Sequence, residues 1–172
     1  YVKSGLAKTI SEAVETIIEK DLRAHFQTHD SGKFRRQILW REENDVVFSR
    51  LKAELRKVFD GYTGKLGVPG QKDRPMCLEE FHEMLGNAGL VDENFGQREI
   101  GPCYNLSQQT NRDEHVAQHH LDLTFVEFYE ALARVAHHIP PDKLSDFFPD
   151  FKAKNPLKLD KKIESICFIL FQ

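Results

Sequence analysis

Leu78-Glu79-Glu80-Phe81-His82-Glu83-Met84-Leu85 recurs as Phe125-Val126-Glu127-Phe128-Tyr129-Glu130-Ala131-Leu132, so the pattern Glu-Phe-x-Glu-x-Leu stands twice in one chain, 47 positions apart. Each copy follows a short apolar stretch, Pro75-Met76-Cys77 in one case and Leu121-Asp122-Leu123-Thr124 in the other. Each opens an amphipathic helix with a glutamate in its first turn, where a negative charge is favoured. Upstream of the first copy, apolar residues at 48, 51, 55, 58 and 59 form the stripe of another helix. Upstream of the second, Ile100, Cys103 and Tyr104 take the equivalent places. The two halves therefore match as helix, loop, helix, and the spacing predicts helices over about 47–59, 78–86, 95–104 and 124–136.

This layout resembles a degenerate pair of calmodulin-like hands of the EF-hand superfamily. The resemblance lies in the exit halves: a residue for a short β-bridge, a Glu closing the loop, then Phe on the core face of the outgoing helix. Val58-Phe59-Asp60 is similar to the junction at which an entering helix hands an Asp to the loop, and Asn105 stands where the second Asp would be. If calcium binds, the resemblance implies Asp60, Glu80, Asn105 and Glu127 as its ligands. A narrower resemblance covers residues 43 to 136, where Asn105-Leu106-Ser107 is followed about twenty positions later by Phe125-Val126-Glu127-Phe128 through Ala133-Arg134-Val135-Ala136. This is similar to EF-hand-like modules in large ciliary and flagellar proteins.

The loops depart from the calcium-binding pattern. A binding loop sets its first ligand and its bidentate Glu eleven positions apart, with Gly at position 6. Asp60 to Glu80 is 20 positions and Asn105 to Glu127 is 22. Counting back from Glu80 puts Pro69, Gln71, Asp73 and Arg74 at positions 1, 3, 5 and 6; counting back from Glu127 puts Val116, Gln118, His120 and Leu121 there. Neither register gathers three oxygen side chains with the turn glycine, so no tight calcium site is expected, and no other cofactor.

The 172 residues, 40% of them apolar, suffice for one real core or a core with a satellite. A net charge of −3, from 24 basic and 27 acidic residues, gives no electrostatic case for nucleic acid or a membrane surface. No apolar run approaches the roughly 20 residues of a membrane span. Three widely spaced cysteines, Cys77, Cys103 and Cys167, argue against a disulfide framework and for a reducing, intracellular setting, which the resemblance to ciliary modules narrows to cytoplasm or cilium and flagellum. A start at Tyr1 and an apolar finish at Ile166–Phe171 give the chain the look of a piece of a longer protein.

The chain divides into three segments: an N-terminal helix and arm over 1–42, the degenerate hand pair over 43–138, and a Pro-rich linker with a C-terminal amphipathic helix over 139–172. Thr9-Ile10-Ser11-Glu12 is a capping box, and Val14, Ile17, Ile18 and Leu22 continue one apolar face to about residue 27. Phe34 to Trp40 reads as a short helix or an extended arm, with Asn44 or Asp45 as N-cap of the helix after it. His137-His138-Ile139-Pro140-Pro141 stops the second exit helix, and Pro149 and Pro156 keep the linker beyond it irregular. From about Leu157 a last helix carries Leu159, Ile163, Ile166, Cys167 and Leu170 on one stripe. So apolar a segment is expected to dock.

Rival chemistries have thinner support. His115 and His119, with His120, Asp113 and Glu114 nearby, have the i, i+4 spacing of a zinc site, but no His-Glu-x-x-His pattern or paired cysteines accompany them. A metal-dependent enzyme built on them is the outlying reading. Lys33, Arg35 and Arg36 beside Trp40 form a basic-aromatic cluster that is either a grip for an acidic partner or a solvated face over a tucked Trp. No nucleophile elbow or phosphate loop accompanies the Glu pairs, so no enzyme is expected. The expectation is an all-α, non-catalytic interaction or scaffolding module of a larger protein. Its groove, lined by Leu51, Leu55, Phe81, Leu85, Phe128 and Leu132, would take an amphipathic helix from a partner protein or from the chain's own C-terminus. The alternative is a calcium sensor whose long loops supply backbone carbonyls.

Overall fold

The computed structural model describes residues 8–22, 31–64, 75–108, 122–148 and 158–172. Its regular structure is helical: α1 (Ile10–Thr16), α2 (Ser31–Phe34), α3 (Glu42–Tyr62), α4 (Leu78–Asn87), α5 (Gln97–Asn105), α6 (Phe125–His138), α7 (Pro141–Phe147) and α8 (Leu159–Leu170). α1 runs on as a π-helical stretch Ile17–Leu22, and α2 as another, Arg35–Leu39. Among the described residues the β pairing is one isolated antiparallel bridge, Met76 with Leu123. The chain divides into two compact units, Tyr1–Arg36 and Gln37–Gln172.

In the first unit the Thr9 hydroxyl accepts the Glu12 N–H at 3.1 Å, so α1 starts where its capping box predicted. Its apolar stripe stays in solvent: Ile10 is 78% exposed, and Val14, Ile17 and Ile18 are exposed with it, while Ala13 is buried. Phe34 to Leu39 is helical, as one of the two expectations had it.

In the second unit α3 buries Val47, Phe48, Leu51, Leu55 and Phe59, a face recurring every three or four residues. Its N-cap is Arg41, upstream of the expected Asn44 or Asp45. Asn44 is drawn inside because its side-chain amide donates to the carbonyls of Ile38 (2.9 Å) and Leu39 (3.0 Å), closing the end of the preceding helical stretch. Trp40 is 68% exposed, so it is not the tucked side chain that the solvated-face expectation had.

α4, α5 and α6 all start by one device. A glutamate three residues into the helix reaches back to the N-cap N–H: Glu80 to Cys77 (3.0 Å), Glu99 to Gly96 (3.0 Å) and Glu127 to Thr124 (2.8 Å). α4 ends in a Schellman motif: Gly89, at φ 71°, donates to the Gly86 carbonyl and Leu90 to that of Leu85. A β-carbon at Gly89 would stand 3.4 Å from the Phe147 ring, so α7 packs over this turn. Asp92 then folds the α4–α5 connection, accepting the N–H groups of Asn94 and Phe95 and pairing with Lys143 of α7 at 2.6 Å.

The stretch after Ile139 differs from expectation. Pro140 and Pro141 do end α6, but Pro141 then opens α7 at its first position, where its missing N–H costs nothing. Residues 149–157, with Pro149 and Pro156, lie outside the described residues. α8 packs on α3, α6 and α7, and its packing with α3 and α6 is the most extensive between any two described helices. It buries Ile163, Ile166, Cys167 and also Ile169, which lies off the expected stripe, and leaves Phe168 exposed.

Candidate functional site

The two sequence repeats meet in one place. The Met76 N–H donates to Leu123 and the Leu123 N–H to Met76, both at 2.8 Å. In each copy the bridge residue stands four positions ahead of the capping glutamate, Met76 before Glu80 and Leu123 before Glu127. Tyr104, buried in α5, donates its hydroxyl to the Met76 carbonyl at 2.7 Å and so ties the bridge to a third helix. Burial pushes that phenol well above its ordinary range.

Beneath the bridge lies an aromatic cluster. Phe81 and Phe128 meet edge to face, Phe59 lies 5.3 Å from both Phe125 and Phe128, and Phe81 lies 5.8 Å from Tyr104. Phe48 stacks on Tyr129 at 4.8 Å. The Arg56 guanidinium covers the Phe125 ring at 4.9 Å. All six residues expected to line a groove, Leu51, Leu55, Phe81, Leu85, Phe128 and Leu132, are buried. They form core in this arrangement, with α8 packed across the two helices that carry Leu51, Leu55, Phe128 and Leu132.

The four candidate calcium ligands are placed apart in role. Asp60 is exposed and pairs with Arg56 at 2.9 Å, one turn back on α3. Asn105 is exposed at the end of α5. Glu80 and Glu127 are buried, and Glu127 accepts the Thr124 hydroxyl at 2.6 Å besides the N–H. Among the described residues no three His, Cys, Asp or Glu side chains are grouped as a metal site. Pro69, Gln71, Asp73 and Arg74, Val116, Gln118 and Leu121, and the cluster Asp113, Glu114, His115, His119 and His120 lie outside the described residues.

The three cysteines are free thiols, and burial pushes each up, Cys77 to about 11, Cys103 and Cys167 to about 12. Protonated thiols of this kind are poor nucleophiles at neutral pH. Glu130 and Arg134 form a buried ion pair at 2.7 Å along α6.

One contact and one cleft had no signal in the sequence. Arg50 of α3 pairs with Glu164 of α8, which also takes Lys161 at 3.0 Å. A cleft of about 340 Å³ opens between the starts of α3 and α8, lined by Ile38, Arg41, Asn44, His137 and Leu159 among others. No described helix is long and apolar enough to cross a membrane. No known family, curated protein or solved structure matches the chain.

Proposed function

We propose that α3 to α6 are two lengthened, degenerate EF-hand-like units that act as a non-catalytic protein-interaction module, taking an amphipathic helix against α3 and α6. The single observation that carries this reading is the Met76–Leu123 bridge with a buried glutamate four residues after each of its members. In paired hands the loops share such a bridge, and the loop-closing glutamate follows it at that distance. α3 and α5 then serve as entering helices, α4 and α6 as exit helices. The packing of α8 supports the ligand class, because an amphipathic helix already lies on this face with apolar residues at i, i+3 and i+4.

On this reading calcium is not required, since Glu80 and Glu127 are engaged in capping and each loop is too long for the standard ligand register. The setting in a large ciliary or flagellar protein rests on the resemblance of residues 43–136 to such modules. Titration of the purified chain with calcium by calorimetry, followed by binding of fluorescent amphipathic helices with calcium and with chelator, tests the reading. Helix binding that is the same in both conditions is expected. Helix binding that appears with micromolar calcium alone would favour the sensor instead, and no helix binding in either condition, even by a folded Ile166→Asp chain in which α8 is loosened, would overturn the module.

A further inference from the structure

Three properties of α8 bear on its role. It is the wedge on which α3 and α6 both pack most extensively, whereas those two touch each other chiefly through Phe59 with Phe125 and Phe128 and through Phe48 with Tyr129. Its register is marked by charge as well as by shape. Ile163, Ile166, Cys167 and Ile169 are buried, while Glu164 reaches Arg50, whose side chain remains 54% exposed. Its fit is incomplete: the hydroxyl of Tyr129 on α6 is buried with no hydrogen-bond partner among the described residues, and the α8 group that acts on it electrostatically is the Cys167 thiol. A buried hydroxyl left unpaired carries a desolvation cost that a better-matched occupant removes.

We propose that α8 is a resident stand-in for the partner, holding the helix-binding face closed. The true ligand is then an amphipathic helix of another protein that repeats the α8 register, with apolar residues at the places of Ile163 and Ile166, a hydrogen-bonding side chain at the place of Cys167 for the Tyr129 hydroxyl, and an acid at the place of Glu164 for Arg50. This rests on the helix-binding reading above and adds to it the ligand's charge and the need to displace α8. Competition in cis lowers the apparent affinity for a ligand in proportion to the fraction of molecules in which the face is open. Arg50 is half exposed in its pair with Glu164, so loss of the pair shifts that fraction modestly.

The test uses the full chain and a fluorescent peptide of its own residues 157–172, read by anisotropy and by hydrogen exchange of the α8 amides. The wild-type chain is expected to bind the peptide while its α8 amides lose protection. Glu164→Lys in the chain, which leaves the apolar face intact, should tighten binding of the wild-type peptide about two- to fivefold. Arg50→Glu in the chain should reverse the preference, favouring a peptide with Glu164→Lys. Ile166→Asp, checked for retained helicity by circular dichroism, should bind most tightly of all.

Peptide binding that leaves α8 protection unchanged, or that ignores both charge changes, overturns this proposal and leaves standing a helix-binding module whose site is not the face against α3 and α6. If neither the wild-type chain nor a folded Ile166→Asp chain binds this peptide or other amphipathic helices, both readings fall.

Discussion

Phe81 and Phe128, the phenylalanines of the two Glu-Phe-x-Glu-x-Leu copies, meet edge to face with their ring centroids 6.3 Å apart and their planes at 89°. Residues 47 positions apart in the chain therefore share one core. Replacing either ring by leucine should cost about 1–2 kcal/mol, through lost burial and imperfect repacking. Because the rings touch, the double variant should be less damaged than the sum of the singles by about 0.5–1.5 kcal/mol. Urea unfolding of the four chains of this cycle measures the coupling, and strict additivity would contradict the contact.

The glutamates at the repeat act as caps. Glu127 holds both the N–H and the hydroxyl of Thr124, and Glu80 holds the N–H of Cys77. Glu127→Ala should destabilise by about 1–2 kcal/mol, because an orphan donor at a buried helix start loses its acceptor. Glu127→Gln keeps an acceptor and should lose less than half of that. Equal losses for the two variants, read by denaturant midpoint at constant slope, would show that negative charge rather than capping is what Glu127 supplies.

Calcium addresses the same residues from another side. A ligand present at 100 times its dissociation constant adds about 2.7 kcal/mol to a folded state that alone binds it. On the interaction-module reading, 1 mM calcium (on the order of extracellular modules' affinities) leaves the melting temperature of the chain nearly unchanged. A clear rise at micromolar calcium would instead identify a sensor, and Glu80→Ala and Glu127→Ala should then abolish the rise.

Most of the helices were legible because their signals are local. The stripes of α3 and α6 and the first-turn glutamates of α4 and α6 lie within a few turns of sequence, and the helices stand within a few residues of where those signals put them. Glu99 carries no legible cap signal because its partner is Gly96, which has no side chain to complete the recognisable half of the motif. α7 has no separate signal because Pro140-Pro141 marks a stop for one helix and a start for the next with the same residues. The sequence offers Asn44 or Asp45 as a cap for α3, whereas Asn44 closes the stretch before it. At the candidate site, the buried stripe of α8 could be read, but its place against α3 could not. Arg50 and Glu164 are 114 residues apart, and nothing local pairs them. The apolar stripe of α1 shows the opposite limit, since periodicity announces a face without saying what covers it.

Acid should loosen the packing around α7 and α8 before it reaches the aromatic core. His137, at the end of α6, is held below its ordinary value of 6.5 by burial first and then by Lys162 and Arg134. A histidine depressed in the fold binds its proton more readily when unfolded, so stability falls as pH drops from about 6.5 toward the folded value. Asp92 is held below its ordinary value of 3.8, first by Lys143 and then by the N–H groups of Phe95 and Asn94. Glu164 is held below 4.5 by Lys161, and by Arg50 after it. For both carboxylates the stabilising contribution is present above the unfolded value and is lost as pH falls through the lower, folded one. Two windows are therefore expected in a melting series: a first decline below about pH 6.5 that His137→Gln flattens, and a second below about pH 4.5 that Asp92→Asn and Glu164→Gln flatten. Loss of protection at α7 and α8 amides should precede that of α4 and α6. A stability that rises on going from about pH 7 to about pH 5, or an acid decline that His137→Gln leaves unaltered in that range, would contradict the assignment of the first window to His137.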